Sequence, residues 1–547
     1  DPQPLFGWSG TKTADKRVSC PQITPRFRTN AVIQESEDCL YINIFYPTLA
    51  SGTSRNLPVL VYFHGGEFNY GGKDYYEPEY LLREKDIVLV TVNYRLGVLG
   101  FLSTNDTNIP GNFGIKDQKA ALNFVFREID KFNGDNKQIT IFGHDAGAIS
   151  VDIHRLIPEW NAAKFQNAIS SGGTIFTPWA MQYEPYDNAV WFAGNLSCST
   201  RTEKILYCLQ QKPYSELISM QTKYDFKFRP VVDKFSYEPL LPDDPTRLYQ
   251  TADFGRHRHL FGLTSKEGSL EYYARYNEYS QLLDNKQKIK RLLEPYFKPY
   301  TNKEAISTLI HYKYFDSTNT IPTQADNTLI NLLGSYLYES PTDKALREIG
   351  KKNAKQSLYV FDYQGKNSFG TLLQPASNIN RDTFGVTHMD DIFLIFKTGF
   401  SNLEENSAYA TTSIVNCIYG FMTDTLDVCR QPYYSGEESN KVFNAINAVG
   451  ITEQKYNSKE KNEYFKFWNE LVFEIELITS TRPPYFDHVG YNSYKAATWS
   501  LFAFLIIVAI AIILVIVYII SKKRKEKTSL LFLKKRDKEL EERYNFL

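Results

Sequence analysis

The residue best placed by type and spacing to do chemistry is a carboxylate. Gly143-His144-Asp145-Ala146-Gly147 follows the apolar run Ile139-Thr140-Ile141-Phe142 and precedes a stretch that reads as a helix. Two glycines flanking a short turn let the backbone reverse sharply, so the middle side chain stands exposed above a buried strand. Strand, tight glycine turn and helix together form a mount for a nucleophile. Here the mounted group is Asp145. A carboxylate so held can attack carbon, pair with a base or stand as a fixed charge.

The elements that must position it read as alternating strand and helix. Leu57-Pro-Val-Leu-Val-Tyr-Phe63 is a buried apolar strand running into the glycine turn His64-Gly65-Gly66. Asp86 to Arg95 is a second β-branched run of the parallel-sheet type. Lys116 to Phe132 carries Leu122, Val125, Phe126 and Ile129 at helical spacing. Ser36 to Phe45 alternates in its second half and reads as an edge strand. Further strands are expected at His259–Leu263 and Ser357–Tyr363, with a mostly helical, polar segment over about 270–350. Lys459 to Leu477 is expected to be the last helix, with Phe465, Trp468, Val472 and Ile475 on one stripe. This order predicts an α/β fold.

Charge and cysteine usage narrow the class. Sixty-two basic and 62 acidic residues balance, which gives no global case for nucleic-acid binding. Six cysteines fall in near neighbours, Cys20/Cys39, Cys198/Cys208 and Cys417/Cys429, as suits an oxidising compartment. Spacing alone leaves their connectivity open. The sequons Asn105-Asp-Thr107 and Asn195-Leu-Ser197 predict glycosylation at Asn105 and Asn195. The chain begins at Asp1 without Met, which reads as a mature chain whose signal has been removed. No metal and no cofactor is read from the sequence.

Leu501 to Ile520 carries no charge and matches the roughly 30 Å hydrocarbon core of a bilayer. Trp499 and Tyr518 lie near its ends, and Ser521-Lys-Lys-Arg-Lys525 follows. The positive-inside rule puts that basic block in the cytoplasm. The expected layout is an extracellular domain at 1–478, a stalk at 479–496, a transmembrane helix at 497–520 and a cytoplasmic tail at 521–547. This is a single-pass type I plasma-membrane protein. In the tail, Glu526 with Leu530 and Leu531 resembles an acidic dileucine sorting signal, and Tyr544 to Leu547 resembles a tyrosine-based one. Both would bind clathrin adaptors and support endosomal cycling. The alternative is an amphipathic stretch on the anionic inner leaflet.

Several further motifs occur in order. They are Ser36-Glu-Asp-Cys-Leu-Tyr-Ile-Asn43, His64-Gly-Gly-Glu-Phe68, Val92-Asn-Tyr-Arg-Leu-Gly-Val-Leu-Gly-Phe101, Ile109-Pro-Gly-Asn-Phe-Gly-Ile-Lys-Asp-Gln118, Lys266-Glu-Gly268 and Gly385-Val-Thr-His388. With these and the Asp145 turn the chain resembles the carboxylesterase/cholinesterase family, closest in wording to insect-type esterases. The resemblance implies an α/β-hydrolase fold, a doubly wound, mostly parallel sheet with helices on both faces, and disulfides Cys20–Cys39 and Cys198–Cys208, and leaves Cys417 with Cys429 open. It implies a structural ion pair between Glu37 and Arg95. It also implies a triad in which His388 is the base, Glu267 orients it and Asp145 stands where the family has serine. Gly66, Glu67 and Ala146 would supply the oxyanion-hole N–H groups.

A carboxylate attacking an ester carbonyl would form an anhydride, and its charge stands beside a hole meant to receive charge. An inactive homologue whose triad positions are vestigial is therefore expected. It would resemble the membrane-anchored cholinesterase-like adhesion molecules of the neuroligin, gliotactin and neurotactin kind. Its ectodomain would bind an extracellular protein partner, with homodimerisation through the last helix. Two alternatives stay open. One is a hydrolase using Asp145 on alkyl carbon, as in epoxide hydrolases and haloalkane dehalogenases. The other is a receptor that keeps the old gorge as a ligand pocket.

Overall fold

The computed structural model describes residues 1–475 apart from 4–6, 8, 25–33, 49–55, 158–163, 280, 281, 283, 298–301, 316–324, 353–354, 366–367, 373–384, 399–407, 426–427, 434–440 and 456–458. Beyond 475 it describes 518, 520–525, 527, 531, 534–536 and 538. Contacts divide the chain into Asp1–Ser480 and Thr481–Leu547. The fold concerns the first unit. The expected stalk, most of the expected transmembrane helix, and Glu526, Leu530, Tyr544 and Leu547 lie outside the described residues. Leu531 is exposed. Among the described residues no helix is long and apolar enough to cross a membrane.

Among the described residues nine strands form one sheet: β1 Ile42–Phe45, β2 Leu57–Phe63, β3 Val88–Val92, β4 Gly134–His144, β5 Asn167–Ser171, β6 Arg258–Thr264, β7 Gln356–Phe361, β8 Val442–Asn447 and β9 Gly450–Lys455. Their order across the sheet is β9-β8-β7-β6-β5-β4-β2-β3-β1. β1 pairs antiparallel with β3, and β9 antiparallel with β8, while the pairs between are parallel. The apolar runs of the sequence are explained by burial on both faces. In β2, Val59, Val61 and Phe63 enter one core, whereas Leu60 and Tyr62 enter the other. Each such side chain, fully withdrawn from water, contributes roughly 1.5–3 kcal/mol.

Helices cover the two faces. α1 (Phe113–Glu128) and α2 (Ala146–Leu156) put Ile115, Leu122, Val125, Ile149 and Ile153 into the first core. α3 (Ala408–Thr423) puts Ile414, Val415, Ile418 and Phe421 into the second. The last helix is helical over Lys459–Lys466, then π-helical over Phe467–Val472. Its Trp468 and Val472 are buried in the domain's own core, not displayed. The hairpin of β8 and β9 was not among the expected strands.

The strand order decides where a site can form. β2 runs outward to β3 on one side and meets β4 on the other, so the chain reverses direction between them. At such a switch point the carboxyl ends of adjacent parallel strands part and leave a crevice. The residues after β2, β4, β5 and β6 all open at that end.

Three disulfides are formed: Cys20–Cys39, Cys198–Cys208 and Cys417–Cys429. The third closes the pairing left open by the sequence. Arg95 does not pair with Glu37, which is exposed. It makes a bidentate contact with the buried Asp117, with Nε–Oδ2 and Nη2–Oδ1 both at 2.7 Å. Asn195 is exposed at the end of the helix Pro185–Asn195, and Asn105 is half-buried in a turn.

Candidate active site

Asp145 follows β4 with φ 53° and ψ −121° and is the cap of α2. L-residues rarely adopt this backbone, which costs of order ~1–3 kcal/mol and persists only where the surroundings impose it. Gly143 and Gly147 are what make it feasible, since a Cβ on Gly143 would lie 2.1 Å from the Gly147 carbonyl oxygen. The Asp145 N–H donates to the Ser171 carbonyl at the end of β5, at 2.9 Å. Asp145 is thus bolted to two strands.

The loop after β2 builds an anion cradle. Gly66, Glu67 and Phe68 take φ of 108°, 51° and 64° in succession, turning their N–H groups toward one point. Asp145 Oδ2 sits there, accepting from Gly66 N at 2.7 Å and Glu67 N at 2.8 Å. The expected oxyanion donors Gly66 and Glu67 are present, and they hold the side chain that replaces the family's serine. Ala146 opens α2 beside them. The Glu67 side chain turns away from the cradle, its Oε2 lying 3.9 Å from Lys227 Nζ.

His388 faces the other carboxylate oxygen. Its Nε2 is 3.8 Å from Asp145 Oδ1, and its Nδ1 is 2.6 Å from Glu267 Oε2. Glu267 follows β6 and is fixed by Thr264 N, which donates to Oε1 at 2.7 Å. The three sequence-predicted triad positions therefore meet in one buried cluster. Burial disfavours the imidazolium, but the Glu267 and Asp145 carboxylates override it and raise His388 to about 10. Burial likewise works against the Asp145 carboxylate. His388 and the Glu67 N–H override it and hold Asp145 at about 2. The resting pair is an aspartate and an imidazolium.

Two other histidines flank Asp145 and stay neutral. Burial lowers His64 to about 4 and His144 to about 3. His64 stacks on Tyr94, and His144 Nδ1 meets the Tyr62 hydroxyl at 2.7 Å. Neither has the carboxylate partner that Glu267 gives His388, and that difference selects one imidazole for charge.

The residues that hold His388 were not foreseen. Gly172, at φ 60°, leaves its α-face to the ring, and a Cβ there would lie 2.5 Å from His388 Cε1. Asp390 accepts from Thr387 N at 2.8 Å and Phe369 N at 2.7 Å. Asp391 accepts from the Ser171 hydroxyl at 2.6 Å and the Tyr359 hydroxyl at 2.7 Å. Both lie directly after the Gly385-Val-Thr-His388 motif, in His388-Met-Asp-Asp391. Tyr338 lies on a π-helical turn, Ser335–Glu339, and places its ring 4.7 Å from His388. π-Turns recur at functional sites, but no spacing in the sequence points to this tyrosine. Tyr338 is within electrostatic reach of Asp145, Glu267 and Tyr296.

Chemically, the arrangement offers a carboxylate with one oxygen clamped in an oxyanion cradle and the other facing a charged imidazole. The clamped oxygen blocks an ester carbonyl from the cradle.

Comparison with known proteins places this geometry. The description of the Carboxylesterase family matches residues 1–425. A carboxylic ester hydrolase of Bombus ignitus is 30% identical over 496 residues, covering 87% of this chain and 88% of its own. The juvenile hormone esterase of Tribolium castaneum is 32% identical, covering 74% and 72%. The bile salt-activated lipase of Mus musculus is 31% identical, covering 73% and 68%. These names overturn the expectation that the chain is not an enzyme. Relatives spanning most of it are named as ester hydrolases and a lipase, and they carry no support for an adhesion role. The physical point behind that expectation was narrower: it concerned carbonyl attack by Asp145, and other hydrolytic chemistry was left open.

Proposed function

We propose that this chain, which belongs to the carboxylesterase family, is a hydrolase that opens epoxides at saturated carbon through a covalent Asp145 ester. The observation that carries the reading is the split role of the Asp145 carboxylate, with Oδ2 on Gly66 and Glu67 and Oδ1 toward His388. A serine hydrolase fills its cradle with substrate oxygen. An aspartate that must first be alkylated and then hydrolysed needs its own carbonyl oxygen in the cradle.

The steps balance on the groups present. Asp145 Oδ1 attacks the epoxide carbon, the C–O bond breaks, and the alkoxide takes the proton of the His388 imidazolium. Tyr338, whose ring lies 4.7 Å from that of His388, is the proposed hydrogen-bond donor to that oxygen. Esterification removes the Asp145 charge that helped raise His388, so the neutral imidazole becomes a base. It takes a proton from water, and the hydroxide attacks Asp145 Cγ while the Gly66 and Glu67 N–H groups hold the oxyanion on Oδ2. Collapse releases the product's alkoxide, which takes the proton of the regenerated Asp145 carboxyl. The site returns to aspartate and imidazolium, and epoxide plus water has become a diol.

The test is a single turnover of styrene oxide in ¹⁸O-water, followed by mass mapping of the Asp145 peptide. Label in Asp145, and an alkyl ester accumulating there in His388→Gln, are the expected results. An unlabelled Asp145 with no adduct in either protein overturns the reading.

The location proposed is extracellular, which the three disulfides support. The anchor proposed is the uncharged run 501–520. Release of the full chain from membranes by alkaline carbonate would overturn the anchor.

A further inference from the structure

The wall beside Asp145 carries a cation with no assigned work. The segment Phe226–Val231 is clamped to the cradle loop by Asn69. That residue's Nδ2 donates to the Phe228 carbonyl at 3.0 Å, and its Oδ1 accepts from Phe228 N at 3.0 Å. Backbone alternation then separates the side chains. Phe226 and Phe228 pack among aromatics with Phe192, and Lys227 and Arg229 take the other face. Lys227 is occupied by Asp225 at 3.1 Å and Glu67 at 3.9 Å.

Arg229 is different. Its Nε is sealed from solvent and has no hydrogen-bond partner among the described residues. It lies within electrostatic reach of Glu67, Tyr296, Tyr183 and Glu271. Glu67 is shared with Lys227, and Glu271 is 3.8 Å from Arg275 Nη1. Burial lowers the Arg229 pKa, with Glu67 first among the groups opposing it. A buried guanidinium donor left unmatched is costly, and its fork geometry matches a carboxylate. Glu67 ties the position to the reaction, since its N–H is on Asp145 and its side chain is on this charged wall. Of the two tyrosines near the guanidinium, Tyr183 is exposed and Tyr296 is half-buried.

We infer that Arg229 is a specificity residue that binds a carboxylate on the substrate, so that the site takes organic acids in preference to neutral analogues. The substrate class rests on the hydrolase reading; the binding itself does not. An acid held at Arg229 would lie on the Glu67 side of the site, and the Glu67 N–H donates to Asp145.

The experiment is calorimetric titration of the folded ectodomain with 4-phenylbutyrate and with 4-phenylbutanol. The same titrations are run on Asp145→Asn, Arg229→Gln and Arg229→Lys. Expected is tighter binding of the acid than of the alcohol, kept in Asp145→Asn. Arg229→Gln should weaken the acid about tenfold or more, as loss of a charge-assisted contact does, and leave the alcohol unchanged. Arg229→Lys should recover part of the loss. Equal acid and alcohol affinities in the wild type, or unchanged acid affinity in a folded Arg229→Gln, overturn the inference. Acid binding without ¹⁸O in Asp145 would sink the epoxide chemistry and keep the anion site. Label without acid preference would do the reverse.

Discussion

Asp145 Oδ1 and His388 Nε2 stand 3.8 Å apart, too far to share a proton and close enough to fix each other's charge. In a serine esterase this position would be a hydroxyl yielding its proton to a neutral imidazole. Here the proton already rests on the histidine. The same triad frame is thereby poised for an anionic nucleophile rather than a neutral one.

The pairing sets a pH window for stability. His388 is raised from 6.5 to about 10, so its contribution is complete below pH 6.5 and is lost as pH rises through about 10. Asp145 is held at about 2 against an ordinary 3.8; its contribution is complete above pH 3.8 and is lost as pH falls through about 2. The two together are greatest between about pH 4 and 6.5. In Asp145→Asn the alkaline decline should shorten, because only Glu267 remains to hold the imidazolium. Thermal melting across pH 5–10 measures this, and an unchanged alkaline slope would show that the pair is not coupled.

Tyr338→Phe separates binding from chemistry. The ring still covers His388, and no hydrogen bond of the hydroxyl to a described residue is lost, so melting temperature should hold. If the hydroxyl steadies the leaving alkoxide, kcat for styrene oxide should fall about a hundredfold with KM little changed, as for loss of one oxyanion donor. Steady-state kinetics decides it. An unchanged kcat removes Tyr338 from the reaction.

What the sequence made legible was what local rules control. The glycine spacing around Asp145 announced the elbow because only a close-packed turn needs those glycines. The apolar runs at Leu57 and Asp86 announced buried strands. His388 and Glu267 became visible only through motif resemblance, since residues brought together after β6 and β7 share no local pattern with Asp145. The direction of the Glu67 side chain was not readable. It depends on three consecutive positive-φ residues and on the distant segment 226–231 that Asn69 clamps there. Tyr338 and Arg229 were hidden for the same reason. β8 and β9, the hairpin at one end of the sheet, were missed because Val442–Asn447 and Gly450–Lys455 mix polar and apolar residues without clean alternation.

Asp390 should prove to be the peg of the His388 loop. It accepts two backbone N–H groups, one on each oxygen, and the Ser368 hydroxyl. In Asp390→Asn the amide nitrogen cannot accept, so one buried N–H is left unmatched at ~1–3 kcal/mol. Burial also raises Asp390 to about 7 against the hydrogen bonds that favour its charged form. Urea unfolding at pH 6 and 8 measures both effects. The loss should appear in the midpoint, and an unchanged midpoint would show that the loop is held by Asp391 alone.

Asp145→Ser tests whether the frame is otherwise that of an esterase. The substitution empties the cradle of carboxylate, returning the Gly66 and Glu67 N–H groups to an incoming carbonyl oxygen. It also removes one of the two carboxylates that raise His388, which moves the imidazole toward the neutral form a general base requires. Glu267 stays at 2.6 Å to orient it. The wild type should resist a fluorophosphonate probe and leave p-nitrophenyl acetate untouched. The variant should be labelled at position 145 and hydrolyse the ester, with activity rising as pH passes through the lowered histidine pKa. Probe labelling with peptide mapping, beside a pH–rate profile, measures it. A folded variant that neither labels nor turns over would show that the Asp145 carboxylate is not all that bars esterase chemistry from this frame.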